Sequence, residues 1–189
     1  MTEIRSIAHI ALGGNCASDV GSPRNTLAAA IAGLPEHGVL IRAISRFFST
    51  PCFPAGAGPD FVNAAITVEF AGSAEALLAI LHKVEAEFLR TREVRWGQRT
   101  LDLDVLSVGD AVAPDRATYD HWRLLPAEEQ TQRAPDQLIL PHPRIQDRAF
   151  VLVPLRDIAP NWVHPVLGQS VRDMCEALPV DEIAEVTPL

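Results

Sequence analysis

Apolar and polar residues in the first part of the chain follow two spacings, one typical of strands and one typical of helices. Apolar runs of strand length occupy residues 4–12, 39–48, 61–70 and 100–108. Helical spacing follows two N-cap signals: a helix begins after Ser22 and Pro23 and ends near Pro35, and another begins after Ser73 and runs to Phe88. The predicted order of elements is therefore β-α-β-β-α-β.

This order predicts an α+β protein of the ferredoxin-like kind, a βαββαβ sandwich in which four antiparallel strands carry two helices on one face. The other face is then free for ligands or for the rest of the chain. Residues 114–137 are polar and predict a surface insertion with one short helix after Pro126. Residues 150–158 and 171–178 predict a C-terminal extension of short helices. We expect a single domain over residues 1–189 because this length suits one domain.

Charge and composition narrow the classes of function. The 189 residues include 16 basic and 24 acidic side chains, a net charge of −8. We therefore expect no nucleic-acid partner and no membrane partner, because both require a basic face. The chain has no apolar run that could span a membrane and its first residues lack a secretory signal, so a cytoplasmic location is expected. The three cysteines, Cys16, Cys52 and Cys175, predict reduced thiols rather than a disulfide framework.

The densest group of chemically capable side chains lies in residues 90–104. Four arginines crowd into this short segment of an acidic chain: Arg90, Arg92, Arg95 and Arg99. Asp102 and Asp104 follow on the fourth strand, where residues two apart share a face, so both point away from the helix layer. Two neighbouring carboxylates repel each other. Mg²⁺, which takes one or two carboxylates plus phosphates, and a structural network with the arginines explain the pair equally well.

Other candidate residues are open to two interpretations each. Phe61 and Asn63 share a face of the third strand and could stack on a heterocycle and hydrogen-bond its edge, although a core Phe and an edge Asn are more common. His142, expected on exposed irregular backbone, could bind a phosphate with Arg148 or could be a turn residue without a role. Glu85 is by itself typical of a solvated helix face. The sequence contains no Walker A motif, so nucleotide binding would need another scaffold.

Four segments, in order, carry a resemblance to one family. They are ALGGN, FSTPCFPAGAGPDFVNAA, RWGQRTLDLDVL and LPHPRIQDRAFVLVPL, and together they cover most of residues 7–160. Each resembles a block of the 6-hydroxymethyl-7,8-dihydropterin pyrophosphokinases of the folate pathway. The resemblance implies transfer of pyrophosphate from ATP to the hydroxymethyl group of the dihydropterin, with AMP as the other product. It also implies two Mg²⁺ ions at Asp102 and Asp104.

The resemblance further implies roles for individual residues. The pterin would lie between two aromatic rings and be bound at its edge by the following residues: Phe61, Phe150, Asn63, Thr50, Pro51 and Phe53. The implied catalytic residues are Arg92, Arg99, Asp102 and Asp104. The implied nucleotide-binding residues are Glu85, Arg90, Trp96, His142 and Arg148. Those between residues 90 and 99 would lie on mobile loops that close over ATP.

The chain departs from the family pattern at four positions, and two other classes of function compete with it. The family often has Tyr at Phe61 and Gln at His82, and members can carry an Arg and a hydroxyl residue at Gln137 and Ile139.

An Asp-x-Asp glycosyl- or nucleotidyltransferase would need a larger nucleotide-sugar domain. A ferredoxin-like ligand-sensing or assembly module would not need paired carboxylates beside four arginines. The expected partners are small molecules, ATP and the dihydropterin.

Overall fold

The fold is a mixed α+β arrangement built on one antiparallel sheet, in a computed structural model that describes residues 5–52, 58–88, 100–126, 129 and 132–189. Its elements in chain order are β1 Ser6–Gly14, α1 Pro23–Gly33, β2 Leu40–Ile44, β3 Phe48–Thr50, β4 Phe61–Phe70, α2 Ala74–Phe88, β5 Asp102–Val108, α3 Arg116–Arg123, α4 Ala149–Ile158, α5 Val171–Glu176, α6 Val180–Ala184 and β6 Thr187–Pro188. The predicted α+β class is confirmed. None of the described helices combines the length and the apolar character needed to cross a membrane.

The strand order is β5-β1-β4-β3-β6, and β2 pairs with β4 beside β3. β1 therefore lies between β4 and β5 and pairs with both in antiparallel register. β1 continues through Gly13 and Gly14, two residues beyond the apolar run at residues 4–12. The neighbouring backbone comes too close to Gly14 for a side chain, since a Cβ there would lie 2.5 Å from the carbonyl oxygen of Thr100.

Both helices predicted in the first part of the chain begin at the expected caps. The Ser22 hydroxyl accepts the backbone N–H of Asn25 at 3.4 Å, and Pro23 is the first residue of α1. The Ser73 hydroxyl accepts the N–H of Ala76 at 3.2 Å at the start of α2. These bonds satisfy donors that the first turn of a helix leaves without partners.

Each face of the sheet carries its own hydrophobic core. On the first face, α1 and α2 pack on the sheet through residues that include Leu27, Leu81, Ile10, Ile66 and Leu103. On the second face, α4 and α5 pack through residues that include Phe48, Ala65, Leu106, Leu152 and Met174. The C-terminal extension therefore buries part of the face that the sequence analysis left open.

The sequence predicted one continuous strand over residues 39–48. This prediction is wrong, because the chain forms two strands there, β2 and β3. Ser45 lies between β2 and β3, where its backbone N–H donates to the carbonyl of Ala65 and its hydroxyl accepts the Ala65 N–H, both at 2.9 Å. The next residue, Arg46, turns to α4 and binds the Asp157 carboxylate with two N···O distances of 2.8 Å. This break makes β3 a separate short strand.

Residues 114–137 contain a helix, α3, that the sequence analysis did not predict. Asp115 caps it by accepting the N–H of Thr118 at 2.9 Å. Tyr119 is fully buried and is the one side chain of α3 in the core, so the helix lacks a clear apolar stripe. Its hydroxyl forms a 3.0 Å hydrogen bond with Nε2 of His164. The helix expected after Pro126 falls largely on residues outside those described.

Two buried histidines flank Trp162. His9 Nδ1 lies 2.8 Å from the Ser107 hydroxyl, and its ring meets Trp162 edge-on with centroids 5.6 Å apart. The His164 ring meets the same tryptophan with centroids 5.7 Å apart. Burial lowers the pKa of His9 to about 4, and burial also lowers the pKa of His164 to about 4. Both rings are therefore neutral in the folded protein at neutral pH.

We predict that the protein loses stability as the pH falls from about 6.5 to about 4. A histidine in the unfolded chain has a pKa near 6.5. In this interval the unfolded state thus binds protons that His9 and His164 do not bind in the folded state. The free energy of unfolding should fall by on the order of 2 kcal/mol per histidine across the interval. Urea unfolding at several pH values measures this change.

The variant His9→Gln isolates one part of the effect. Because it removes one titrating group, its free energy of unfolding should depend less steeply on pH than that of the wild type. The exposed His121, substituted as His121→Gln, is the matched control and should keep the wild-type slope. Equal slopes for the wild type and His9→Gln would contradict the prediction.

Candidate active site

A cleft of about 870 Å³ opens on the second face of the sheet. Eight of the site residues predicted in the sequence analysis line it: Thr50, Pro51, Phe61, Asn63, Asp102, Asp104, Arg148 and Phe150. They come from β3, β4 and β5 and from the start of α4. The volume lies in the range typical of small-molecule sites.

Asp102 and Asp104 lie on β5 with their side chains toward the cleft, as the strand alternation predicted. Their partners across the register are Gly13 and Ala11 of β1. Leu103, between them, is 2% exposed and belongs to the core on the opposite face. Both aspartates are half-buried. The pleat of the strand therefore brings two carboxylates together where solvent is only partly accessible.

Glu85 reaches β5 from α2 and does not lie on a solvated helix face. Its Oε1 accepts the backbone N–H of Leu103 at 2.6 Å, on the outer edge of an edge strand. Burial raises the pKa of Glu85, the hydrogen bond from Leu103 opposes this, and the carboxylates of Asp102 and Asp104 raise the pKa further. A third carboxylate thus lies within the electrostatic field of the aspartate pair.

Asn63 is held between three strands. It is only 6% exposed, and its Nδ2 donates to the hydroxyl of Thr50 at 2.7 Å. Its Oδ1 lies beside Gly13, where an added Cβ would approach it to 2.9 Å. Phe61 lies on the same face of β4, and Phe150, at 41% exposure, lines the cleft from α4. A polar amide and two aromatic rings therefore share the cleft with the aspartates.

His142 lies next to the cleft and is not among the residues that line it. His142 was expected to be exposed but is half-buried. Its backbone N–H donates to the carbonyl of Leu106 at 2.8 Å, which holds this residue against β5. Its Nδ1 accepts the N–H of Arg144 at 3.1 Å. Burial lowers the pKa of His142 to about 3, Arg148 and Arg144 lower it further, and Asp102 opposes them. The neutral ring therefore carries its proton on Nε2, which is a donor.

Arg148 lies at the start of α4. Its carbonyl accepts the N–H groups of Val151 and Leu152 at 3.1 and 2.9 Å. Its guanidinium carbon is 5.7 Å from the centroid of the Phe150 ring, a distance typical of a cation–π contact. Among the described residues, Arg148 is the one cationic side chain that lines the cleft, against five carboxylates: Asp102, Asp104, Asp147, Glu182 and Glu185.

Seven residues that line the cleft were missed by the sequence analysis: Gly13, Cys52, Asp147, Ala149, Glu182, Glu185 and Val186. Gly13, Cys52, Asp147 and Ala149 lie inside the quoted motifs, which could have indicated them. The C-terminal three have no local signal, because their position depends on the pairing of β6 with β3. Five predicted residues lie outside those described: Phe53, Arg90, Arg92, Trp96 and Arg99.

The aspartate pair suits Mg²⁺ bound together with a nucleotide. In the described part of the chain, no group of three or more His, Cys, Asp or Glu side chains is arranged to hold a metal ion by itself. Mg²⁺ characteristically takes one or two protein carboxylates and completes its shell with substrate phosphates and water. Asp102 and Asp104, with hard oxygen donors on one face, fit that pattern.

Comparison with known proteins identifies the family. Residues 9–160 match the family model described as 7,8-dihydro-6-hydroxymethylpterin-pyrophosphokinase (HPPK). The 2-amino-4-hydroxy-6-hydroxymethyldihydropteridine pyrophosphokinase of Synechocystis is 33% identical over 182 residues, which cover 96% of this chain and 80% of that protein. The protein of the same name from Pseudomonas aeruginosa is 34% identical over 178 residues. This match covers 93% of this chain and 93% of that protein.

Solved structures agree with this at the level of the fold. The chain is similar to the wild-type HPPK-DHPS protein of Plasmodium falciparum, with a TM-score of 0.63 and 14% identity. The match covers 93% of this chain and 45% of that one, so the chain spans less than half of the solved protein. Since the family model matches most of the chain and several relatives exceed 30% identity, the chain belongs to the 7,8-dihydro-6-hydroxymethylpterin-pyrophosphokinase family.

Proposed function

We propose that the cleft is the active site of a folate-pathway pyrophosphokinase. As a member of this family, the enzyme transfers pyrophosphate from ATP to the hydroxymethyl oxygen of 6-hydroxymethyl-7,8-dihydropterin, and AMP is released. One observation supports this assignment above all: an aspartate pair, a buried amide and two aromatic rings line the same cleft. A site for a polyphosphate alone would not need the rings, and a site for a heterocycle alone would not need the carboxylates.

The pterin end is formed by β3, β4 and α4. Phe61 and Phe150 hold the flat ring between them, since offset stacking of aromatic rings is favourable. Asn63 hydrogen-bonds the ring edge with its amide. The backbone at Thr50, Pro51 and Phe53 completes the recognition of that edge.

The nucleotide end is formed around β5. Asp102 and Asp104 would hold two Mg²⁺ ions, which when bound would neutralise phosphate charge and lower the pKa of the substrate hydroxyl. The neutral His142 donates from Nε2 to a phosphate oxygen, and Arg148 adds positive charge beside it. The remaining nucleotide contacts that we assign are Glu85, Arg90 and Trp96.

The transfer is an in-line displacement at the β-phosphorus of ATP. The hydroxymethyl oxygen forms a bond to this phosphorus as the bond to the bridging oxygen of AMP breaks, and the hydroxyl proton passes to solvent. Arg92 and Arg99 stabilise the charge that shifts between the phosphates. The chain contributes position and charge rather than covalent chemistry, so no side chain is needed as a general base.

We infer that the sheet has the ferredoxin-like arrangement, with β2 and β3 together as its second strand. The order of strands and the packing of α1 and α2 on one face support this. In this view residues 1–189 form a single domain with a surface insertion at residues 114–137. We place the enzyme in the cytoplasm, with ATP and the dihydropterin as its partners and with neither a nucleic acid nor a membrane among them.

The products of the reaction test the proposed function. Incubation with ATP, Mg²⁺ and 6-hydroxymethyl-7,8-dihydropterin should release AMP in step with the pterin diphosphate. ADP in place of AMP would indicate an ordinary kinase. Absence of both products, with the pterin bound, would indicate a ligand-binding module.

Removal of either aspartate should abolish most of the turnover. Asp102→Asn and Asp104→Asn each remove one negative charge at constant size, so we predict a fall in kcat of on the order of 10²–10³-fold. The free energy of unfolding should hold or rise, because the repulsion within the pair is relieved. The exposed Asp110, just beyond β5, supplies the control Asp110→Asn, which should keep the wild-type rate. Near-normal rates for both site variants at saturating Mg²⁺ would refute the metal assignment.

Phe150 should govern the affinity for the pterin and not the affinity for ATP. We predict that Phe150→Ala weakens pterin binding about threefold to tenfold, since stacking contributes roughly 0.5–1.5 kcal/mol beyond area burial. Calorimetry with an inert ATP analogue already bound measures this, and the affinity for the analogue should stay unchanged. The control Leu124→Ala removes a side chain that is 65% exposed at the C-terminal end of α3 and that does not line the cleft. An unchanged pterin affinity in Phe150→Ala would remove Phe150 from the site.

A further inference from the structure

We propose that Glu182 and Glu185 are specificity-determining residues that accept a hydrogen bond from the 2-amino group of the pterin. Both belong to the β6 segment, residues 180–189, which comprises α6 and β6. The inference rests on the proposed function and deepens it, because it adds a wall to the pterin end of the cleft. The proposed function assigns no contact to this segment.

The β6 segment is fixed to β3, the strand that carries Thr50 into the cleft. β6 pairs with β3 in antiparallel register, with Thr187 opposite Ser49. The N–H of Leu189 donates to the carbonyl of Phe47 at 2.9 Å, just before β3 begins. Since β3 also pairs with β4, both edges of this short strand are bonded. The segment therefore has a set place beside the pterin end.

α6 and the residues after it present two carboxylates to the cleft. Glu182 and Glu185 are three residues apart, a spacing that puts side chains on the same side of a helical turn, and both line the cleft. Ile183 packs against the core of the second face, and Val186 is buried in that core. The N–H of Val186 donates to the carbonyl of Ile183 at 3.1 Å. The turn is thus anchored by apolar residues on one side while its glutamates face the cleft.

The carboxylates of Glu182 and Glu185 are accessible to a ligand. Both residues are exposed, and neither forms an ion pair with any of the residues that the structure describes. An ionised carboxylate accepts hydrogen bonds and donates none. The pair is therefore suited to a ligand that brings N–H groups to this end of the cleft.

The order of the strands determines which end of the ring meets this wall. In the proposed function the hydroxymethyl group has to reach phosphates at Asp102 and Asp104 on β5. β3 lies three strand spacings from β5, roughly 14 Å, and β6 lies four, roughly 19 Å. Positions 6 and 2 are at opposite ends of the long axis of a pteridine ring. With the hydroxymethyl group at position 6 directed to β5, the 2-amino group points to β3 and the β6 segment.

The 2-amino group brings two N–H donors, and each needs an acceptor once it has lost its water. A carboxylate is a strong acceptor for such a group, because hydrogen bonds to an ionised partner are shorter and stronger than neutral ones. A ring with a 2-oxo group would place a carbonyl oxygen against the glutamates instead, and two acceptors repel each other. Specificity gains from that unfavourable pairing as well as from the favourable one. Glu182 and Glu185 thus select rings with an amino group at position 2.

The test replaces both carboxylates by amides of the same size, Glu182→Gln together with Glu185→Gln. With an inert ATP analogue bound, calorimetry measures the affinities for 6-hydroxymethylpterin and for 6-hydroxymethyllumazine, in which a 2-oxo group replaces the 2-amino group. The preference for the pterin should shrink about threefold to tenfold, the amount expected for one hydrogen bond. The affinity for the ATP analogue should stay unchanged. Asp181→Asn is the matched control and should keep the preference, since Asp181 is exposed on the same helix and does not line the cleft.

Three outcomes would overturn the inference. The double variant could keep the wild-type preference, or it could weaken both rings equally, which would indicate a general effect on the cleft. Asp181→Asn could also reduce the preference as much as the double variant does, which would assign the effect to the charge of the helix. AMP formation by the wild type tests the proposed function separately. An active wild type whose double variant keeps the preference would refute this inference alone, whereas a wild type that forms no AMP would refute the proposed function.

Discussion

Electrostatic repulsion between carboxylates on β5 is the constraint on which the arrangement of the cleft depends. Asp102 and Asp104 share one face of an edge strand, and Glu85 binds the backbone between them from the opposite layer. Burial raises the pKa of Glu85, and the charges of Asp102 and Asp104 raise it further. A fully buried face could not hold three carboxylates without a matching cation. On a fully exposed face, water would weaken their attraction for a cation. The half-covered second face of the sheet meets both conditions.

Partial cover of that face results from where the C-terminal extension packs. α4 crosses the sheet on a core that includes Ala65 and Leu106, and its first residues, Arg148 and Phe150, stand at the edge of that core. The bond between Arg46 and Asp157 ties the other end of α4 to the break between β2 and β3. The same break sets β3 apart as a short strand that pairs with β6. Aromatic, amide and carboxylate groups thus meet where the start of α4 lies beside β3, β4 and β5.

Sequence patterns predicted the parts of this protein whose signals are local. The alternation around Leu103 placed Asp102 and Asp104 on one face, and the caps at Ser22 and Ser73 located both helices of the first core. The patterns failed where position depends on distant contacts. Glu85 looked like a solvated residue because its partner, the N–H of Leu103, lies in another element, and α3 was missed because its burial depends on Tyr119 meeting His164. Family motifs grouped the cleft residues without revealing that Thr50 holds Asn63.

The protonation state of His142 bears on both the chemistry of the cleft and the pH sensitivity of the fold. A histidine near a polyphosphate is usually considered a cation that is lost as the pH rises. Here burial and two arginines lower the pKa of His142 to about 3, and a backbone N–H occupies its Nδ1. Its Nε2–H donor therefore persists at mildly acidic pH, where the unfolded state binds protons that His9, His142 and His164 do not bind in the folded state. In the proposed site, positive charge at the phosphates would come from bound Mg²⁺ and from arginines, whose charge does not change in that range. A fall in activity at mildly acidic pH would accordingly reflect loss of the folded state rather than loss of a hydrogen bond from His142.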